Sequence, residues 1–148
     1  MSKYFLKCHE IFAQRINEFK DHVKKLKNTL SAEEYSQHET VKLAARIRKA
    51  TIEIIPEDPN RPEYLLSGAL KKYRRYKQGL QRYRIIFCFS NKPSIIIYLY
   101  LNDKDHLRKQ GDRNDPYEKF KKMLNSGKVS HDPQDPKIQK WLQNYTYQ

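Results

Sequence analysis

The sequence predicts an α+β fold, with helices laid on a small antiparallel sheet, and three stretches carry that expectation. Ile11, Phe12, Ile16, Phe19, Val23, Leu26 and Leu30 recur at steps of three and four, the spacing of a single helical face. Residues 94–101, SIIIYLYL, make an unbroken apolar, β-branched and aromatic run, the pattern of a central strand buried on both faces. Between them, residues 71–84, KKYRRYKQGLQRYR, lead into IIFCF and read as a basic β-hairpin.

The elements follow in order. Tyr4 to Cys8 is short and apolar, fit for a first or edge strand. The long amphipathic helix comes next. Ser31-Ala32-Glu33-Glu34 is a capping box that opens a second helix carrying Tyr35, Val41, Ala44, Ala45, Ile47 and Ile54. The turn between the two helices is very short, so they are expected to form an antiparallel hairpin. Pro56, Pro59 and Pro62 are expected to end the second helix and hold residues 56–63 as a rigid extended loop. In the basic hairpin, a turn at Gln78 to Gln81 sets Lys77 opposite Arg82 and Arg75 opposite Arg84. Paired residues share a face, so four cations stand together, with Tyr83, Ile85, Phe87 and Phe89 on the other face. Asn91 to Ser94 is a turn, and a polar stretch runs from Asn102 to Asn114. Asp115 is placed to N-cap a helix that has Pro116 as its first residue, runs through Leu124 and closes at Gly127. The tail, residues 131–148, is expected to hold a short helix around Ile138, Trp141 and Leu142. The sum is one domain over residues 1–148, helices on one sheet face and cations on the opposite one.

Composition narrows the partners. Thirty Lys and Arg against seventeen Asp and Glu give a net charge of +13 in 148 residues, a field that attracts nucleic acid, an anionic membrane or an acidic protein. No apolar run reaches membrane-spanning length, and the N-terminus lacks the apolar region and cleavage site of a signal peptide, so a cytoplasmic protein without a membrane partner is expected. Cys8 and Cys88 both fall in strands and read as buried free thiols.

Residues 71–84 hold seven cations, three tyrosines and no carboxylate. Like charges facing each other destabilise a hairpin, so the arrangement asks for an anionic partner, and phosphate fits. Arg75, Lys77, Arg82 and Arg84 are the candidate phosphate ligands, arginine being suited by its planar, two-pronged donor set. Lys71, Lys72 and Arg74 extend the surface for RNA or DNA, and Tyr73 and Tyr76 are candidates to stack bases. The aspartates of NDKDHLRKQGDRND lack the spacing and closing glutamate of a calcium loop, so no metal or cofactor is expected. His106 in that loop reads as a solvent-exposed histidine. With no Ser/His/Asp order and no phosphate-cradling glycine loop, any chemistry must run on Arg, Lys, Tyr and loop polar groups. RNA allows that, because its own 2′-hydroxyl is the nucleophile. A site that aligns it and neutralises the pentacovalent phosphate needs cations more than a metal.

Two patches, YRRYKQGLQRYRIIF and LNDKDHLRKQGDRNDPYEKFKKMLNSG, resemble YhaV-type toxins of the RelE/ParE superfamily, from bacterial type II toxin–antitoxin modules. The resemblance implies a RelE-like fold and a metal-independent endoribonuclease acting on mRNA, often with the ribosome. It puts Arg75 and Lys77 where such toxins keep basic catalytic residues and Arg84 at the scissile phosphate. Arg82 is typical of the YhaV branch, Asn102, Asp103 and Arg108 match its motif after the last strand, and Tyr117 is a further candidate. RelE toxins carry an arginine and a tyrosine just after that strand, where this chain has Asn102-Asp103-Lys104-Asp105. Lys77, His106 and Tyr117 therefore all stand as candidate general acids or bases. The resemblance also implies a PrlF-type, AbrB-like antitoxin whose acidic segment covers the cations, and operator DNA bound through the complex. The competing classes are a ParE-like gyrase inhibitor on the same scaffold and a plain basic RNA-binding module.

Overall fold

The computed structural model describes residues 3–129, 135, 136, 138 and 139; the expectations for Trp141 and Leu142 lie outside these. A four-stranded sheet is its centre, with strand order β1-β4-β3-β2. β1 (Phe5–Cys8) pairs parallel with β4 (Ser94–Leu101), and β4 pairs antiparallel with β3 (Ile85–Asn91), which pairs antiparallel with β2 (Arg74–Tyr76). β4 is interior, and all of its residues after Ser94 are buried, as its unbroken apolar run requires.

His9 opens α1 (Glu10–Thr29): its Nδ1 accepts from the Ile11 N–H at 3.1 Å. The capping box at Ser31 forms both of its bonds, Glu34 N–H to Ser31 Oγ and Ser31 N–H to Glu34 Oε1, each 3.1 Å. The second helix is not continuous. It breaks at His38, whose Nδ1 accepts from the Thr40 N–H, giving α2 (Ala32–Gln37) and α3 (Glu39–Lys49). A π-helical segment, Ala50–Ile54, and a last turn, α4 (Ile55–Glu57), follow. Pro56 thus sits buried inside the helical path, tolerated within the first turn of α4, and Pro62–Tyr64 is a 3₁₀ turn, so residues 56–63 are not an extended loop. α5 (Pro116–Asn125) is capped by Asp115 as expected. It ends on Gly127 at φ 76°, with the Lys128 N–H reaching Met123 O and Gly127 N–H reaching Leu124 O.

Two departures matter for function. The hairpin register differs: Arg75 pairs with Ile86, Arg74 with Phe87 and Tyr76 with Ile85. Neither Lys77–Arg82 nor Arg75–Arg84 is a cross-strand pair, and residues 77–84 form a longer connection of two successive turns, Leu80 N–H to Lys77 O and Tyr83 N–H to Leu80 O. The cause is Leu80, fully buried in the core, which a four-residue turn would leave in solvent. Gly79 and Gln81 take positive φ values of 74° and 56° on either side of it.

The second departure is that both sheet faces are covered. Ile85, Phe87, Ile96 and Tyr98 pack on α1 and α3 through Phe12, Ile16 and Ile47. The other face holds Ile86, Cys88, Ile97 and Leu99 under Tyr73, Phe120 and Met123, with Ile138 also buried there. A bulge in β4 helps: Ile86 pairs with Tyr100 but Phe87 with Tyr98, so Leu99 is the extra residue, and Leu99 and Tyr100 join the same cluster. The cations are therefore gathered at one end of the sheet rather than spread over a bare face. Cys8 and Cys88 are free and buried, and burial pushes their thiols up to about 11 and about 12. Among the described residues no helix is long and apolar enough to cross a membrane.

Candidate active site

Where β3 begins and β4 ends, the chain must pass two loops side by side, and Asn102 ties them. It is fully buried; its Oδ1 accepts from the Arg84 N–H at 2.8 Å, and its Nδ2 donates to Arg82 O at 3.2 Å and His106 O at 2.8 Å. The Arg108 N–H donates to Arg82 O at 2.8 Å, and Arg82 Nε donates to Arg108 O at 3.1 Å. Every polar group of Asn102 is thus used on backbone, which makes it a positioning residue.

This clamp brings Arg84, Arg108, Arg75 and Tyr117 together. Arg84 Nη1 donates to Gln81 O at 2.6 Å and Tyr83 O at 2.7 Å, which folds the guanidinium back over its own loop. Tyr117, Arg108 and Arg75 all lie close enough to the Arg84 side chain to act on its charge. Burial first, then the two neighbouring arginines, lower the Arg84 pKa below its usual value against the opposing pull of Tyr117. Arg108 lies over the Tyr117 ring, 4.8 Å from its centroid, and is held by Asp115, Nη1 to Oδ1 2.8 Å. The same Asp115 carboxylate also accepts from the Lys109 and Tyr117 N–H groups, at 2.6 and 3.1 Å, so the helix cap doubles as the anchor of Arg108. Arg75 Nε and Arg84 Nε are shielded from solvent with no hydrogen-bond partner among the described residues. Unpaired buried donors cost about 1–3 kcal/mol each, which an anion bound between them would recover.

Other expected site residues lie elsewhere. Lys77 and Arg82 are exposed on the connection, Arg82 against Arg108 and Lys77 at its start. Asp103 points away into a second cluster, bonding His106 Nδ1 at 2.6 Å and Arg15 Nη2 at 3.2 Å. Burial alone would raise its carboxyl, but His106, Arg15 and the Asp105 N–H together hold it below the usual range. His106 is half-buried and bonded, not the exposed histidine its polar loop suggested. Tyr73 and Tyr76 are buried, Tyr73 edge-on to Phe120 at 5.0 Å and Tyr76 beside Tyr64 at 5.7 Å, so neither offers a ring for stacking bases. Arg74 lies on the opposite face from Arg75, over Phe89 at 5.5 Å, while Lys71 and Lys72 are exposed. Arg15 and the anchoring role of Asp115 were not anticipated. Arg15 sits on the rim of the apolar stripe of α1 and carries no local signal; Asp115 had one, since a cap seven residues after an arginine in one loop can serve both.

Three arginines with, among the described residues, one carboxylate, two unpaired guanidinium nitrogens and a neighbouring phenol offer the charge and donors that suit a phosphodiester, on an α+β scaffold. The family of YhaV toxins, described as toxins with endonuclease activity of toxin–antitoxin systems, matches residues 6–142. The chain is 34% identical over 135 residues to the "Ribonuclease toxin YhaV" of Escherichia coli K12, covering 88% of this chain and 85% of that protein, and equally to the "Toxin YhaV" of E. coli O157:H7 and of E. coli O6:H1. No solved structure matches. The chain belongs to the YhaV family of endonuclease toxins.

Proposed function

We propose that this toxin cuts mRNA, free or on the ribosome, by attack of the RNA's own 2′-hydroxyl, with no metal ion, and thereby stops translation and growth. The observation that carries the reading is the Arg75–Arg84–Arg108 group with Tyr117 inside it. The ribonuclease name of the K12 relative supports RNA as the substrate. In this reading the 2′-oxygen bonds to phosphorus as its proton passes to solvent, and the three guanidiniums stabilise the pentacovalent phosphate. The bond to the 5′-oxygen then breaks. Tyr117, the one of the three candidate acids and bases in contact with Arg84, supplies the proton to that oxygen. The products are a 2′,3′-cyclic phosphate and a 5′-hydroxyl. His106 is occupied by Asp103, and Lys77 serves the RNA backbone. A PrlF-type antitoxin neutralises the toxin by covering these cations with an acidic segment, and the complex binds its operator DNA.

The test is incubation of the purified protein with RNA in EDTA, with the ends mapped. Cyclic phosphate and 5′-hydroxyl ends, and no cut where the attacking nucleotide is 2′-deoxy, are expected. Binding that weakens steeply with salt and leaves RNA intact would favour a plain RNA-binding module instead.

A further inference from the structure

Behind the arginine group, across the same sheet end, lies a cleft of about 600 Å³ that the mechanism above does not use. α1, the start of α3 and the loop after β4 enclose it. Its lining is aromatic at Phe19 and Tyr83, whose rings meet edge to face at 5.7 Å. Its polar groups are of both signs. Arg15 is already held by Glu18 at 2.9 Å and Asp103 at 3.2 Å; Thr40 and Asp105 add a hydroxyl and a further carboxylate, and Lys104 and His22 an ammonium and an imidazole.

That chemistry differs from the arginine group. Glu18, Asp103 and Asp105 outnumber Arg15 and Lys104, so the cleft lacks the excess of cations that would draw in the RNA backbone. A neutral flat ring with donors on its edge fits both parts: its face lies on the aromatic side chains and its edge donates to carboxylate and hydroxyl oxygens. The chain links the two places directly. Tyr83 lines the cleft and the next residue is Arg84; Asp103 lines it and the previous residue is Asn102. Tyr83 faces Phe19 of α1 while Arg84 lies beside Tyr117 of α5, so a strand whose phosphate rests on Arg84 reaches the cleft by turning its neighbouring base round the end of the sheet.

Building on the RNA-cutting reading, we infer that this cleft receives one unstacked base beside the scissile phosphate and reads its edge, selecting a base with an exocyclic amino group over uracil. Glu18 and Thr40 are the reading groups; they set where the cut falls, not whether it occurs.

The experiment compares cut sites across a long RNA of mixed sequence, mapped by their 5′-hydroxyl ends, for wild type, Glu18→Gln and Glu18→Gln/Thr40→Val. Glu18 is exposed, so the single variant leaves the fold intact. The expected result is an amino-base preference at one fixed position next to the cut in wild type, reduced about tenfold in the variants, the size of a charge-assisted hydrogen bond lost. Unchanged preferences in both variants would overturn the inference, as would complete loss of cutting in folded Glu18→Gln. RNA left uncut by the wild type would instead overturn the nuclease reading on which it rests.

Discussion

Two charged clusters flank Asn102 at the same end of the sheet, and their arginines are treated differently. On one side Arg15 is bracketed by Glu18 and Asp103, and Asp103 is also bonded to His106. On the other side, among the described residues, Arg75 and Arg84 pair with no carboxylate and Arg108 pairs with Asp115. Both clusters leave a buried Nε without a partner among the described residues, Arg15 on one side and Arg75 and Arg84 on the other. The orphaned nitrogen is therefore not the discriminator; the missing countercharge is. An arginine whose terminal nitrogens are answered by carboxylates is structural, whereas grouped arginines without them repel each other until an anion arrives.

The comparison breaks most severely if the unanswered arginines are removed. Arg75→Ala/Arg84→Ala is expected to abolish growth arrest on expression while the purified protein keeps its circular dichroism spectrum, since both side chains are only half-buried. A fully toxic double variant would reassign the site. Next in size, Asp115→Ala removes the countercharge of Arg108 and the cap of α5 together. It should lower unfolding stability by about 1–3 kcal/mol and slow cutting. Asp115→Asn, which still caps, should recover most of the stability but not the rate, as followed by thermal denaturation and RNA cleavage in parallel.

Asn102→Ala removes the partner of the Arg84 N–H and of His106 O, and leaves Arg82 O with the Arg108 N–H alone. A loss of about 1–3 kcal/mol is expected, with a slower cut because both loops shift. The smallest effect is in acid. Asp103 has its pKa held below the unfolded value of 3.8, so it contributes stability above that pH and loses it as pH falls through the lower folded value. The stability gap between wild type and Asp103→Asn, about 1 kcal/mol or less, should close in urea titrations below pH 3.8.

What could be read from the sequence was local. The capping box at Ser31, the Asp115–Pro116 start of α5 and the buried run of β4 each declare themselves within a few residues, and the structure has all three. The break at His38 is hard to read because no glycine or proline marks it; the six-residue step between the apolar Tyr35 and Val41 is its local sign. The hairpin register was missed because Leu80 looks like a turn residue between Gly79 and Gln81, and its burial depends on helices far away in sequence. The covered second face was missed for a related reason. Arg82 and Arg84 suggested a polar face, but β3 starts only at Ile85, and its alternate residues Ile86 and Cys88 are apolar. Of the site, the arginines of the hairpin were legible from charge, and Arg108 and Tyr117 from resemblance. Their union with Arg75 and Arg84, and the diversion of Asp103 to Arg15, depend on how Asn102 joins two loops.

In the proposed mechanism Arg75 and Arg84, which pair with no carboxylate among the described residues, and Arg108 do the phosphate chemistry. The most direct test is the single-turnover cutting rate of one defined RNA in EDTA by wild type, Arg84→Gln and His106→Gln. The account predicts a loss of about 10²–10³-fold for Arg84→Gln, the effect of removing one transition-state donor, and a rate within about twofold of wild type for His106→Gln. Equal losses in the two variants, or a larger one in His106→Gln, would contradict it and move the chemistry to the Asp103 side.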